Sequence, residues 1–182
     1  MACGCGNTEM RWFAMRDLSR RHSKYPAYKQ LAELGFEIFT PMTSKVVIIK
    51  GRRVNRETPF IMDLLFVHSR REKLDEAVDK IENLQYRFVH GGYREPMVVP
   101  DADMVRFICA VQSSGNPRFY RPEDITASMR GRRVRIIGGP FDGYESNLLS
   151  VRGSKRRRLI VEIPGVLLTT YEISPDLVEV LD

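Results

Sequence analysis

The pattern of apolar and polar positions changes partway along the chain. Up to about residue 112 apolar positions recur at both helical and strand spacing, and beyond 128 only short apolar runs remain. Trp12-Phe13-Ala14-Met15 is an unbroken apolar run, the pattern of a buried strand. Ala27, Leu31 and Leu34 then fall at i, i+4 and i+7. They form one face of a helix that Gly35 closes and whose first turn takes Pro26. Phe36 to Phe39 reads as a strand ending before Pro41. Val46-Val47-Ile48-Ile49, the pair Lys50-Gly51, and Arg52-Arg53-Val54 predict a hairpin, and Leu64-Leu65-Phe66-Val67 predicts another buried strand. Ser69 and Glu72 have the spacing of a capping box, and Leu74, Ala77, Val78, Ile81 and Leu84 follow at helical period. Phe88-Val89 and Met97-Val98-Val99 read as short strands about Gly91-Gly92. Pro100-Asp101 opens a third helix with an apolar face of Met104, Phe107, Ile108 and Val111. This succession of strands and helices suits an antiparallel sheet with helices packed on it.

Residues 113–127 are rich in Ser, Pro and polar groups without a period, and predict a linker. From Arg130 onward Val134 to Ile137, Leu148 to Val151, Leu159 to Ile163, Val166 to Thr170 and Leu177 to Leu181 are short apolar segments separated by Gly, Pro or charge. Such closely spaced short strands predict a small barrel. The fold class expected is therefore α+β: a small polar tail at 1–9, an antiparallel sheet with helices at 10–112, a linker at 113–127 and a β-barrel at 128–182.

At 182 residues the chain can bury a real core, and its net charge of +6 favours anionic partners. Two basic clusters stand out. Arg16, Arg20, Arg21, His22 and Lys24 lie between the first strand and the first helix, and Arg152, Lys155, Arg156, Arg157 and Arg158 lie at a hairpin tip in the barrel. Either is a candidate nucleic-acid contact or a solvated basic loop. No stretch reaches the roughly 20 apolar residues of a membrane span. The opening MACGCGNTEMRW lacks a hydrophobic region, so a secretory signal is not expected and a cytoplasmic location is. Cys3 and Cys5 are too close for an ordinary bridge, and His22, His68 and His90 are scattered, so no metal site is expected. Cys109 reads as core. No nucleophile–base pairing and no phosphate-binding or dinucleotide fingerprint is present, so neither catalysis nor a cofactor is expected.

Gly131 to Gly143 reads GRRVRIIGGPFDG, in which Gly138, Gly139 and Gly143 permit positive φ and Pro140 stiffens a loop with Phe141 expected at its tip. This run resembles the KOW motif, with Ser146 where that family usually has another glycine. Trp12-Phe13, Phe39-x-Pro41 and the segment Pro59-Phe60-Ile61-Met62-Asp63-Leu64-Leu65-Phe66-Val67 resemble the NusG N-terminal domain. Met62, Asp63 and Leu64 stand where the common family form has proline, glycine and tyrosine. That departure resembles the operon-specific antiterminators of the UpxY or RfaH sort. Together the resemblances cover about residues 11–182.

What the resemblance implies is a transcription elongation or antitermination factor with an SH3-like KOW barrel. It implies an apolar depression that grips a helix pair on RNA polymerase, with candidates Phe13, Phe39, Ile61, Leu64 and Phe66. It implies contact of the Arg16 to Lys24 cluster with the non-template DNA strand. It implies that the KOW domain recruits a ribosomal protein or a termination factor, with Phe141, Tyr144 and Ile163 as its contact surface. A general NusG, or a ribosome-associated KOW protein that binds RNA, is the alternative.

Overall fold

In the computed structural model of the chain, residues 9–19, 23–114, 117–150 and 156–181 are described. By compactness the chain divides into one unit ending at Asp101 and one beginning at Ala102.

The first unit is built on β1 (Arg11–Asp17), which pairs antiparallel with β5 (Leu65–Ser69), β6 (Leu84–Tyr86) and β7 (Val98–Val99). β2 (Glu37–Phe39) extends this sheet along β5. Alternation along the strands sends Phe13, Met15, Leu65, Val67, Leu84 and Tyr86 to one face. There they meet Ala27 and Leu31 of α1 (Ala27–Glu33) and Leu74 and Ala77 of α2 (Arg71–Lys80). Gly35 at φ 75 ends α1 as its sequence predicts. Pro26 stands one position earlier than expected, as the N-cap, with its carbonyl accepting from the Lys29 and Gln30 amides. The capping box is not formed. Ser69 is the last residue of β5, paired with Arg11, and its hydroxyl donates to the Arg70 carbonyl. Phe88 and Val89 make only a bridge from Phe88 to Pro96, and both are exposed.

β3 (Met42–Ile49) and β4 (Arg52–Pro59) form a separate two-stranded ribbon, longer than the apolar run alone predicts. Its turn is the pair Lys50-Gly51, both at positive φ (49° and 77°), the conformation that a two-residue hairpin loop requires.

α3 (Asp101–Gln112) opens the second unit. The sequence reading grouped it with the first sheet; here Phe107 stacks on Phe119 and the Arg106 guanidinium lies 5.0 Å over the Tyr144 ring. Cys109, expected in the core, is half-buried. The polar stretch expected as a linker contributes β8 (Phe119–Tyr120), which pairs with β12 (Leu167–Glu172). It also buries Phe119 and Ile125. β9 (Arg130–Ile136), β10 (Glu145–Leu149), β11 (Arg158–Ile163), β12 and β13 (Val178–Val180) follow the predicted order, with β9 beginning four residues and β10 three residues earlier than expected. Their order is β13-β9-β10-β11-β12-β8, all antiparallel, around a core that includes Ile125, Leu149, Ile160 and Leu168. A register shift between Asn147 and Leu149 bends β10 as it passes from β9 to β11. Among the described residues no ladder joins β13 to β8, so the pairing is an open path and not a closed ring of strands. No described helix is long and apolar enough to cross a membrane.

Candidate functional site

The candidate docking residues separate onto different surfaces once the register is known. Phe13 belongs to the helix-covered core and is 3% exposed. Phe66 and Phe39 lie on the opposite face of the sheet, cross-strand partners with ring centroids 6.4 Å apart. On that face Ala14 sits opposite Phe66, and Trp12 sits opposite His68 with their rings stacked at 4.9 Å. The His68 Nδ1 is 2.7 Å from a Glu37 carboxylate oxygen. Trp12, Ala14 and Phe66 are buried, as is Leu64, while Phe39 is half-buried. Solvent reaches the neighbouring turn: Ile61 is half-buried and Met62 is exposed. That turn is held by the Phe60 amide on the Pro41 carbonyl at 2.8 Å and the Leu64 amide on the Ile61 carbonyl at 3.2 Å.

Asp63, one of the residues that depart from the common family form, takes a definite place. Its carboxylate lies 3.4 Å from the Arg16 guanidinium and 3.5 Å from that of Arg87. The two guanidiniums share this one carboxylate, which follows the exposed Met62 in the chain. Nothing in the linear sequence marks Arg87 as part of the cluster, because the chain leaving β6 sets it beside the middle of β1, its amide on the Ala14 carbonyl at 3.0 Å, only in three dimensions. Lys24 is exposed in the bend before α1, whereas Arg20, Arg21 and His22 lie outside the described residues. Asp17 ties the end of β1 to the start of α1. It accepts from the Ser19 amide at 2.9 Å and from the Tyr28 amide, in the first turn of α1, at 3.3 Å. Behind the sheet, burial and a 2.7 Å hydrogen bond to Asp75 raise the Tyr86 phenol above its usual range, so it stays neutral and donating.

In the second unit Phe141 is not presented at a loop tip. Gly138, Gly139 and Gly143 adopt φ of 79°, 71° and 73°, and the Gly143 amide returns to the Ile136 carbonyl at 2.8 Å. The loop therefore turns inward and sets the Phe141 ring 4.6 Å from Tyr171, leaving Phe141 2% exposed. Ile163 is equally buried. Of the three residues expected at this surface only Tyr144 is half-exposed, and burial raises its phenol above the usual range. Ser146, where a glycine was expected, donates to the Ile160 carbonyl at 2.6 Å and so ties β10 to β11. Arg156 pairs with Glu172 at 3.1 Å, Arg157 is exposed and Arg158 half-buried; Arg152 and Lys155 lie outside the described residues.

A search of the curated proteins finds no match. Among solved structures, one titled "Domain interaction in Thermotoga maritima NusG" aligns with 97% of this chain and 100% of its own. Its identity is 15% and its TM-score 0.47. The family model described as "Transcription termination factor nusG" matches residues 10–108, more than half of the chain, and runs from the start of β1 into α3. The chain belongs to the NusG family.

Proposed function

We propose that this chain is a transcription elongation factor that binds RNA polymerase through its first unit and suppresses pausing or termination at particular operons. The observation that carries the reading is the family match over residues 10–108, since NusG-family proteins bind RNA polymerase. The docking edge runs from Phe39 to Ile61 and Met62, the part of the apolar sheet face and its turn that solvent reaches. An apolar edge with aromatic anchors suits a helix pair. Arg16 and Lys24, with Arg20, Arg21 and His22 between them in the sequence, contact the displaced non-template strand, where phosphates give affinity and stacking gives sequence preference. The second unit is the KOW domain, an SH3-like barrel that recruits a further partner, a ribosomal protein or a termination factor. Binding energy spent on the elongating conformation of polymerase shifts its balance away from the paused one.

The family's description names termination, whereas the Met62-Asp63-Leu64 departure favours a specialised antiterminator. A single experiment separates them. The full chain is added to purified RNA polymerase transcribing through a pause and a factor-dependent terminator. The expected result is co-elution with polymerase and increased read-through. Co-elution with increased termination would identify a general factor, and absence of co-elution would overturn the reading.

A further inference from the structure

The β3–β4 ribbon lies outside the docking edge proposed above. It pairs with no other strand among the described residues, so both of its edges are open. Register sorts its side chains by face. Lys45 opposite Arg56, Val47 opposite Val54 and Ile49 opposite Arg52 share one face. Ser44 opposite Glu57, Val46 opposite Asn55 and Ile48 opposite Arg53 share the other. Lys45, Arg52 and Arg56 thus stand together, with Lys50 at the tip, while the ribbon's one acidic residue, Glu57, lies on the reverse face. All of these side chains are exposed, and none of the ribbon's basic residues has a carboxylate partner among the described residues.

Two features of this arrangement oppose the ribbon's own stability. Lys45 and Arg56 are like charges directly opposite one another, which repel. Lys50 holds φ 49 at a turn position that asparagine, aspartate or glycine fills with less strain. Both costs concentrate positive charge on one face and its tip, and a bound polyanion relieves the repulsion.

We propose that this face of the ribbon binds double-helical DNA through its phosphates. A two-stranded antiparallel ribbon fits the major groove of B-form DNA, and the narrow major groove of an A-form RNA duplex excludes it. Arg52 and Arg56, four residues apart along β4, are roughly 14 Å apart at about 3.4 Å per residue. That span matches a groove about 12 Å wide and lets the two guanidiniums reach phosphates on either side. Contacts of this kind position the protein without reading sequence.

The test is fluorescence anisotropy of the full chain with a labelled random-sequence DNA duplex, an RNA duplex and single-stranded DNA, each titrated with salt. The DNA duplex is expected to bind most tightly. The triple variant Lys45→Ser, Arg52→Ser, Arg56→Ser should lose at least about tenfold in affinity and flatten the log–log salt slope by about 2 to 3. Lys50→Asn suits the turn better, so it should weaken DNA binding while raising the thermal midpoint, which separates charge from folding. An unchanged slope in the triple variant, or tighter binding to RNA or to single strands, overturns the proposal. Polymerase co-elution is measured in parallel and should survive the triple substitution. A chain that binds duplex DNA through the ribbon but never polymerase would sustain this assignment while overturning the docking proposal.

Discussion

Asp17 shows how one side chain ties the end of a strand to the first turn of the next helix. Pro26 caps α1 without a side-chain acceptor, so an orphan amide in the first turn needs a partner from elsewhere. Asp17, at the end of β1 and 6% exposed, supplies it by accepting from Tyr28, and its other oxygen accepts from Ser19. Asp17→Ala removes both acceptors and should cost about 1–2 kcal/mol. Urea unfolding is expected to show a lower midpoint at unchanged slope, with Asp17→Asn recovering part of the loss. Wild-type stability in Asp17→Ala would mean that water serves these amides equally well. The latch is not legible in the sequence because Asp17 and Tyr28 are separated by the whole basic loop. The capping box failed for a related reason: Ser69 has the right spacing but is consumed by the strand before it.

At the scale of elements, the run Leu64-Leu65-Phe66-Val67 was legible as a buried strand but not as two faces with different fates. Leu65 and Val67 face the helices, and Phe66 faces the other way beside Phe39. A strand buried on both sides reads as continuous apolar sequence, so pattern alone cannot choose docking residues from it. The structure separates the candidates by burial. Leu64 is 1% exposed, so Leu64→Asp buries a carboxylate in an apolar position and should cost several kcal/mol, enough to unfold the chain. Ile61 sits half-buried in the turn, so Ile61→Asp should stay folded by circular dichroism yet lose polymerase co-elution. A Leu64→Asp variant as stable as the parent would contradict the burial. Full polymerase binding by folded Ile61→Asp would move the docking edge elsewhere. The ribbon was under-read because the half away from its turn, Thr43 to Lys45 and Asn55 to Glu57, is polar on both faces. Cross-strand hydrogen bonds continue where the apolar signal stops.

For the whole molecule, the order of strands β9 to β13 was legible because glycine and proline punctuate them, although β9 begins four residues before Val134 and β10 three before Leu148, while the role of residues 117–127 was not. Read as a linker, that stretch instead pairs β8 with β12, Tyr120 opposite Leu168 and Phe119 opposite Thr169. A two-residue strand leaves no periodicity to detect. Its energetic weight is nevertheless real, since burying one phenylalanine contributes about 1.5–3 kcal/mol. A fragment of residues 117–182 should therefore be measurably more stable than one of residues 128–182, which lacks β8. Both should be β-structured throughout. A helix across this region would have to absorb Pro140 and Pro164 at about 3 kcal/mol each, and glycines at 138, 139, 143 and 165 at about 1 kcal/mol each. Those glycines already occupy positive φ in the sheet form, where they cost little. The β-branched runs Val134-Arg135-Ile136-Ile137 and Ile160-Val161-Glu162-Ile163 weigh the same way. The measurement is backbone NMR shifts of residues 128–181 in the two fragments and in the full chain, with thermal midpoints of the fragments alongside. Helical shifts in the full chain would show that a second fold of this segment lies within reach. Equal midpoints for the two fragments would return residues 117–127 to the role of a linker.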